Sequence, residues 1–168
     1  VTRRTEREIA TEVGRLAAEV AARHGLEIVE VRFHRRAGRP TLRIDLDRPG
    51  SPGVGLDDCE AVSRELEPLL DEADLVEGSY DLQVSSPGLD RPIRTDDDIR
   101  RNTGRWIVVE AHDRERGRRR LRGILLGQEG GALRIEIARG EVVEVDRASV
   151  LVARQEVRFG RKRDPGRP

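Results

Sequence analysis

The chain has 168 residues, of which 36% are hydrophobic, 38% charged and only 2% aromatic, and its net charge is zero. That length allows one domain or two small ones, and the four aromatics Phe33, Tyr80, Trp106 and Phe159 leave an aliphatic core and too few rings for a broad base-stacking surface. A lone cysteine, Cys59, excludes an intrachain disulfide framework, and no apolar run has the length of a membrane span or signal-peptide core, so a soluble, cytoplasmic chain without a membrane partner is expected.

In chain order, residues 3–24 predict a helix, because Ile9, Val13, Leu16 and Val20 fall on one stripe and Gly25 can end it. Val1 stands first in a chain that has no Met, which points to a GTG start codon read literally and to Met as the true first residue. Residues 26–34 alternate, with Val29, Val31 and Phe33 on one face, and residues 41–47 alternate again. There Leu42, Ile44 and Leu46 point inward and Arg43, Asp45 and Asp47 outward, a hairpin with one wet face. A Pro/Gly-rich loop over 48–55 leads to a second helix. Asp57 suits its N-cap with Glu60 three residues on, Cys59, Val62, Leu66, Leu69 and Leu70 mark its inner face, and Pro68 is expected to bend or end it. A third strand covers residues 80–84, with Tyr80, Leu82 and Val84 on one side.

Next comes a rigid turn, Ser85, Ser86, Pro87, Gly88, Leu89, Asp90, Arg91 and Pro92. Prolines at both ends of this run suit a stiff joint, which an Asp90–Arg91 ion pair would fix. Thr95 followed by Asp96, Asp97 and Asp98 reads as the capped start of a short helix that ends by Gly104. Five short strands are then expected over residues 105–111, 119–127, 131–138, 141–146 and 149–153, a pattern that suits a small SH3-like barrel. The fold class is therefore α+β: a two-helix, three-strand domain over residues 1–92, a five-stranded barrel over 93–157 and a basic, disordered tail over 158–168.

Charge is unevenly spread. Residues 25–92 carry a net −7, residues 93–153 a net +2 and residues 154–168 a net +4, which suits a chain that meets both a basic protein and a nucleic acid. All the basic residues but Lys162 are arginine, the side chain that grips phosphate bidentately. Arg114, Arg116, Arg118, Arg119, Arg120 and Arg122 crowd the tip expected between the first two barrel strands, and Arg161, Lys162 and Arg163 lie in the tail. Together they form the candidate RNA contact. Asp45 and Asp47 are the candidate contacts to a basic partner protein.

Catalytic and metal signals are weak. His24, His34 and His112 are scattered and Cys59 has no partner, so no metal site is expected. Ser85 and Ser86 lack the flanks of a nucleophile elbow and are expected to bond the turn backbone. No glycine-rich phosphate loop opens a helix, and no cofactor is expected.

The run from Ser85 to Pro92 resembles the central signature of the bacterial ribosome maturation factor RimP family. Leu56-Asp57-Asp58-Cys59-Glu60-Ala61-Val62-Ser63-Arg64 is similar to that family's second-helix opening, and Gly104–Ile107 with Arg122-Gly123-Ile124-Leu125 to the start of its C-terminal barrel. The resemblance implies an N-terminal α+β domain, a C-terminal Sm-like barrel and a non-catalytic role in assembling the small (30S) ribosomal subunit. It implies as partners the free small subunit or its precursor, a very basic small-subunit protein near the decoding centre, and ribosomal RNA, with the factor acting as a monomer. The second reading is an Sm-like single-stranded RNA module or RNA chaperone. Against it, Ala132 stands where the Sm base pocket has an Asn, and Arg147-Ala148 where the second Sm motif has Arg-Gly. A third, a hydrolase using Ser86, lacks a base.

Overall fold

The computed structural model describes residues 4–35, 39–50, 53–88, 91–113 and 117–156. The chain divides into two compact units, Val1–Gly88 and Leu89–Pro168, so the division falls inside the proline-bounded run.

In the first unit, helix α1 (Glu6–Arg23) begins at a capping box between Thr5 and Glu8. It ends where Gly25 takes φ +65° and the Leu26 N–H returns to the Ala21 carbonyl at 2.9 Å. Its buried residues are Ile9, Val13, Ala17, Val20 and Ala21, so two alanines complete the stripe and let the helix lie close to its neighbours. Strands β1 (Glu27–His34) and β2 (Thr41–Asp47) form an antiparallel pair, and β3 (Asp81–Ser85) adds parallel to β2, giving the order β1-β2-β3. Helix α2 (Leu56–Ala73) supplies the parallel crossover. Val62, Leu66 and Leu70 join the α1 stripe, Phe33, Leu42, Ile44 and Leu46 in one core.

Two local expectations about α2 are corrected. Its N-cap is Gly55, two residues earlier than Asp57, and the carboxylate that reaches back is Asp58, accepting from the Gly55 N–H at 2.9 Å. Arg48 selects this start: it pairs with Asp58 at 2.8 Å and donates to the Gly53 carbonyl at 3.2 Å. Pro68 neither ends the helix nor sets its limit, because α2 runs on to Ala73. Pro68 lies on the exposed face, where water can serve the carbonyl that loses its intrahelical donor.

The second unit opens with α3 (Asp96–Asn102), capped by Thr95 in a second capping box with Asp98. Strands β4 (Trp106–Asp113), β5 (Gly117–Glu129), β6 (Ala132–Glu136), β7 (Val142–Asp146) and β8 (Val150–Gln155) form one antiparallel sheet in the order β7-β6-β5-β4-β8. A 3-10 turn, Arg147–Ser149, joins β7 to β8. The core holds Ile93, Ile99, Ile107, Val109, Leu121, Leu125, Leu133, Ile135 and Val145.

Strand β5 is long because it bends. At Gly123 a Cβ would lie 2.3 Å from the Glu136 carbonyl oxygen, so only glycine permits β6 to pass there. At Gly127, φ +130° accompanies a register shift between Leu125 and Gly127. Despite this curvature the sheet is not a closed barrel: among the described residues no ladder joins β7 to β8. The outer edge of β8 is occupied instead by the segment before α3, through a Pro92–Arg154 bridge and an Ile93 N–H donated to the Ala153 carbonyl at 2.7 Å.

Candidate nucleic-acid interface

Alternation along β5 separates the arginines that cluster in sequence. Arg118, Arg120 and Arg122 are exposed, whereas Arg119, opposite Ala111, is half-buried on the other face. Successive members of the exposed row lie about 7 Å apart along the strand, twice the rise per residue. The ladders extend this face sideways: Arg118 stands opposite His112, Arg120 opposite Glu110, Arg122 opposite Val108, and Ile124 opposite Trp106. On the far side of β4, Val108 faces Arg154 and Glu110 faces Val152. Arginines thus lie on a strand face as well as towards a hairpin end.

Two carboxylates organise this face. Glu110 pairs with Arg118 at 2.5 Å. Glu156 pairs with Arg122 at 3.3 Å and also accepts from the Trp106 indole N–H at 3.2 Å, so one carboxylate ties a guanidinium to the chain's single tryptophan. Arg120 forms no ion pair among the described residues. Val108 points to this same face yet is only 4% exposed, so the surrounding side chains close over it. The arrangement offers a cationic row, held in place but open to solvent, that can exchange carboxylate partners for phosphates. Arg114, Arg116, Arg161, Lys162 and Arg163 lie outside the described residues, as do Leu89 and Asp90 of the proline-bounded run.

Arg147 is committed elsewhere. It donates to Asp96 at 2.6 Å, to Gln128 at 2.6 Å and to the Arg94 carbonyl at 3.0 Å, clamping the 3-10 turn against the start of α3 and the end of β5. The Arg147 guanidinium, followed by Gln128, holds the Asp96 carboxyl below its ordinary range. Asp98, in the same first turn of α3, is buried. Burial would push its carboxyl up, but N–H donors of Thr95 and Arg94, the Thr95 hydroxyl and the Arg101 guanidinium outweigh that and hold it low.

In the first unit the expectation for Asp45 and Asp47 is corrected: both are buried, at 3% and 7% exposure. Asp45 lies on the central strand of the sheet, where it accepts from Arg43 at 2.9 Å and from the Ser85 hydroxyl at 2.9 Å, with Arg32 at 3.8 Å. Asp47 accepts from the Arg48 backbone N–H at 2.9 Å. Both carboxylates are held within the unit rather than open to solvent, and Ser85 bonds a side chain where a turn-backbone partner is expected.

Exposed acidic side chains line α2. Asp57, Glu60, Glu67 and Asp71 are exposed at steps of three, seven and four residues, which keeps them along one stripe. Glu60 pairs with Arg64, and Glu65 with Arg23 and His24 at 3.0 and 2.8 Å, whereas Asp57, Glu67, Asp71 and Glu72 form no ion pair among the described residues. Burial, then Asp71 and Glu67, push the nearby Tyr80 phenol up. In sequence the stripe is carried by acids at i, i+3, i+10 and i+14, on the face away from the same helix's apolar stripe.

Among the described residues no three His, Cys, Asp or Glu side chains gather as a metal site, and no helix is long and apolar enough to cross a membrane. The Cys59 thiol is pushed up by burial and then by Asp58, away from the thiolate form.

Comparison with protein-family models matches residues 16–90 to the RimP N-terminal domain. That span includes the α2 opening, Leu56–Arg64, and most of the run from Ser85 to Pro92, whereas Gly104–Ile107 and Arg122–Leu125, which also carry the sequence resemblance, lie beyond it. By this match the chain carries a RimP N-terminal domain, the same family that its sequence resembles.

Proposed function

We propose that this chain is a non-catalytic, cytoplasmic factor that binds the free, immature small (30S) ribosomal subunit and helps a basic ribosomal protein join it. The observation that carries the reading is the RimP N-terminal domain over residues 16–90. The opposed charges of the two units support it. The unpaired acids of α2 offer a surface to a basic small-subunit protein near the decoding centre. The Arg118, Arg120 and Arg122 row offers one to ribosomal RNA, with Arg114, Arg116, Arg119 and the basic tail residues Arg161, Lys162 and Arg163 adding charge. The curved five-stranded sheet is read as an Sm-like domain whose edge is capped from within the unit, consistent with action as a monomer. The second reading, an Sm-like RNA chaperone with a base pocket, is disfavoured because Arg147 is already held by Asp96, Gln128 and the Arg94 carbonyl.

Co-sedimentation of the purified protein with free small subunits, whole ribosomes and naked RNA at near-physiological salt tests this reading. Selective recovery with free subunits is expected. Equal binding to naked RNA would replace it with the RNA-module reading, and recovery with none of the three would overturn it.

A further inference from the structure

The cationic row and the only tryptophan of the chain share one sheet face. The β4–β5 ladder places Arg118, Arg120 and Arg122 in line, and the next pair on that face is Ile124 opposite Trp106. Trp106 is partly exposed, and its indole N–H is taken by Glu156, which also holds Arg122. The ring is therefore fixed in orientation by a bond to its edge, immediately beyond the last guanidinium of the row. We propose that this face is a track for single-stranded RNA, in which Arg118, Arg120 and Arg122 hold successive phosphates and Trp106 takes one unpaired base by stacking.

The chemistry favours a single strand over a duplex. Duplex RNA offers its phosphates and 2′-hydroxyls but no free base face, whereas an unpaired segment offers both phosphates and a ring. An arginine row ending in an aromatic side chain matches the second ligand and leaves the tryptophan without a role in the first. Sequence preference is not expected, since every base has a π-face and the row reads only backbone charge. The inference rests on the RNA-contact reading given above and adds the class of RNA.

The test uses the full-length protein, a fluorescein-labelled 12-nucleotide RNA of mixed sequence and the same strand annealed to its complement. Because the chain has one tryptophan, its intrinsic emission reports on this site alone. The single strand is expected to quench that emission. Trp106→Ala is expected to weaken single-strand binding about ten-fold or more, while Trp106→Phe stays within about three-fold of the parent. Arg118→Ala/Arg120→Ala/Arg122→Ala is expected to flatten the salt slope by about two, at roughly 0.7 per single-strand phosphate. Circular dichroism on each variant confirms that it is folded. Loss of binding in the arginine variant with no quenching, and with Trp106→Ala folded and unaffected, would overturn the stacking inference and leave the RNA contact standing. Unchanged binding in the arginine variant would overturn the RNA contact and this inference together. Equal affinity and equal quenching with the duplex would overturn the assignment to single strands.

Discussion

The Ser85 hydroxyl donates to the buried carboxylate of Asp45 at 2.9 Å, across the parallel pair of β2 and β3. This bond ties the first residue of the proline-bounded run to the central strand of the first unit. It also uses a carboxylate that alternation alone would assign to solvent.

Breaking that tie should weaken the first unit. Asp45→Ala leaves the Ser85 hydroxyl and Arg43 without their acceptor, and a cost of about 1–3 kcal/mol is expected. Ser85→Ala should cost about 1 kcal/mol, and the double variant should cost less than the two singles together. Urea unfolding of the three variants reads the coupling; strictly additive losses would show that the bond contributes nothing.

The bend of β5 predicts a sharp intolerance at Gly123. An added methyl meets the Glu136 carbonyl oxygen at 2.3 Å, backbone that cannot swing away. Gly123→Ala should destabilise the second unit by about 1–3 kcal/mol or more through overpacking. Gly14→Ala is the control: its nearest neighbour is a Val31 methyl at 3.8 Å, ordinary contact in a helix interior, and it should be neutral or stabilising. Thermal melts of both variants make the comparison.

Asp98 gives the second unit an acid limit. Its folded carboxyl titrates below the ordinary value of 3.8, so the stability it supplies is fully present above that value and is lost as pH falls through the lower, folded one. The melting temperature of the parent should drop as pH falls below about 4. Asp98→Asn should melt lower at pH 7 and show a shallower acid decline, because it has no such proton to gain. Identical acid declines in the two proteins would remove Asp98 from this role.

The acidic stripe on α2 should act in partner binding rather than in folding. Glu67→Lys/Asp71→Lys reverses two exposed, unpaired charges, and a stability change within about 0.5 kcal/mol is expected. Recovery with free small subunits should fall about ten-fold, and more at low salt than at high salt. Unchanged recovery would place the basic partner elsewhere.

Much of the local structure was determined by sequence alone. The α1 and α2 stripes, the Gly25 stop, the Thr95 cap and the alternating strands need only neighbours a few residues away, so spacing reveals them. The family was legible for a similar reason, since the run from Ser85 to Pro92 is contiguous. Tertiary structure decided the rest. Asp45 is buried because β2 became the central strand of its sheet, with the β1 pair on one side and Ser85 of β3 on the other. Pro68 is tolerated because it faces outward, and α2 is capped at Gly55, where Arg48 holds Asp58. Among the described residues no ladder closes the sheet, and Pro92 and Ile93 lie along the edge of β8. Sequence clusters Arg118, Arg120 and Arg122 at an expected hairpin tip, but the pairing of β5 with β4 places them on one strand face and brings Trp106 onto it. Sequence spacing reports which side of its own strand a residue takes; which strand pairs with it, and what then covers that side, depend on contacts between residues far apart in the chain.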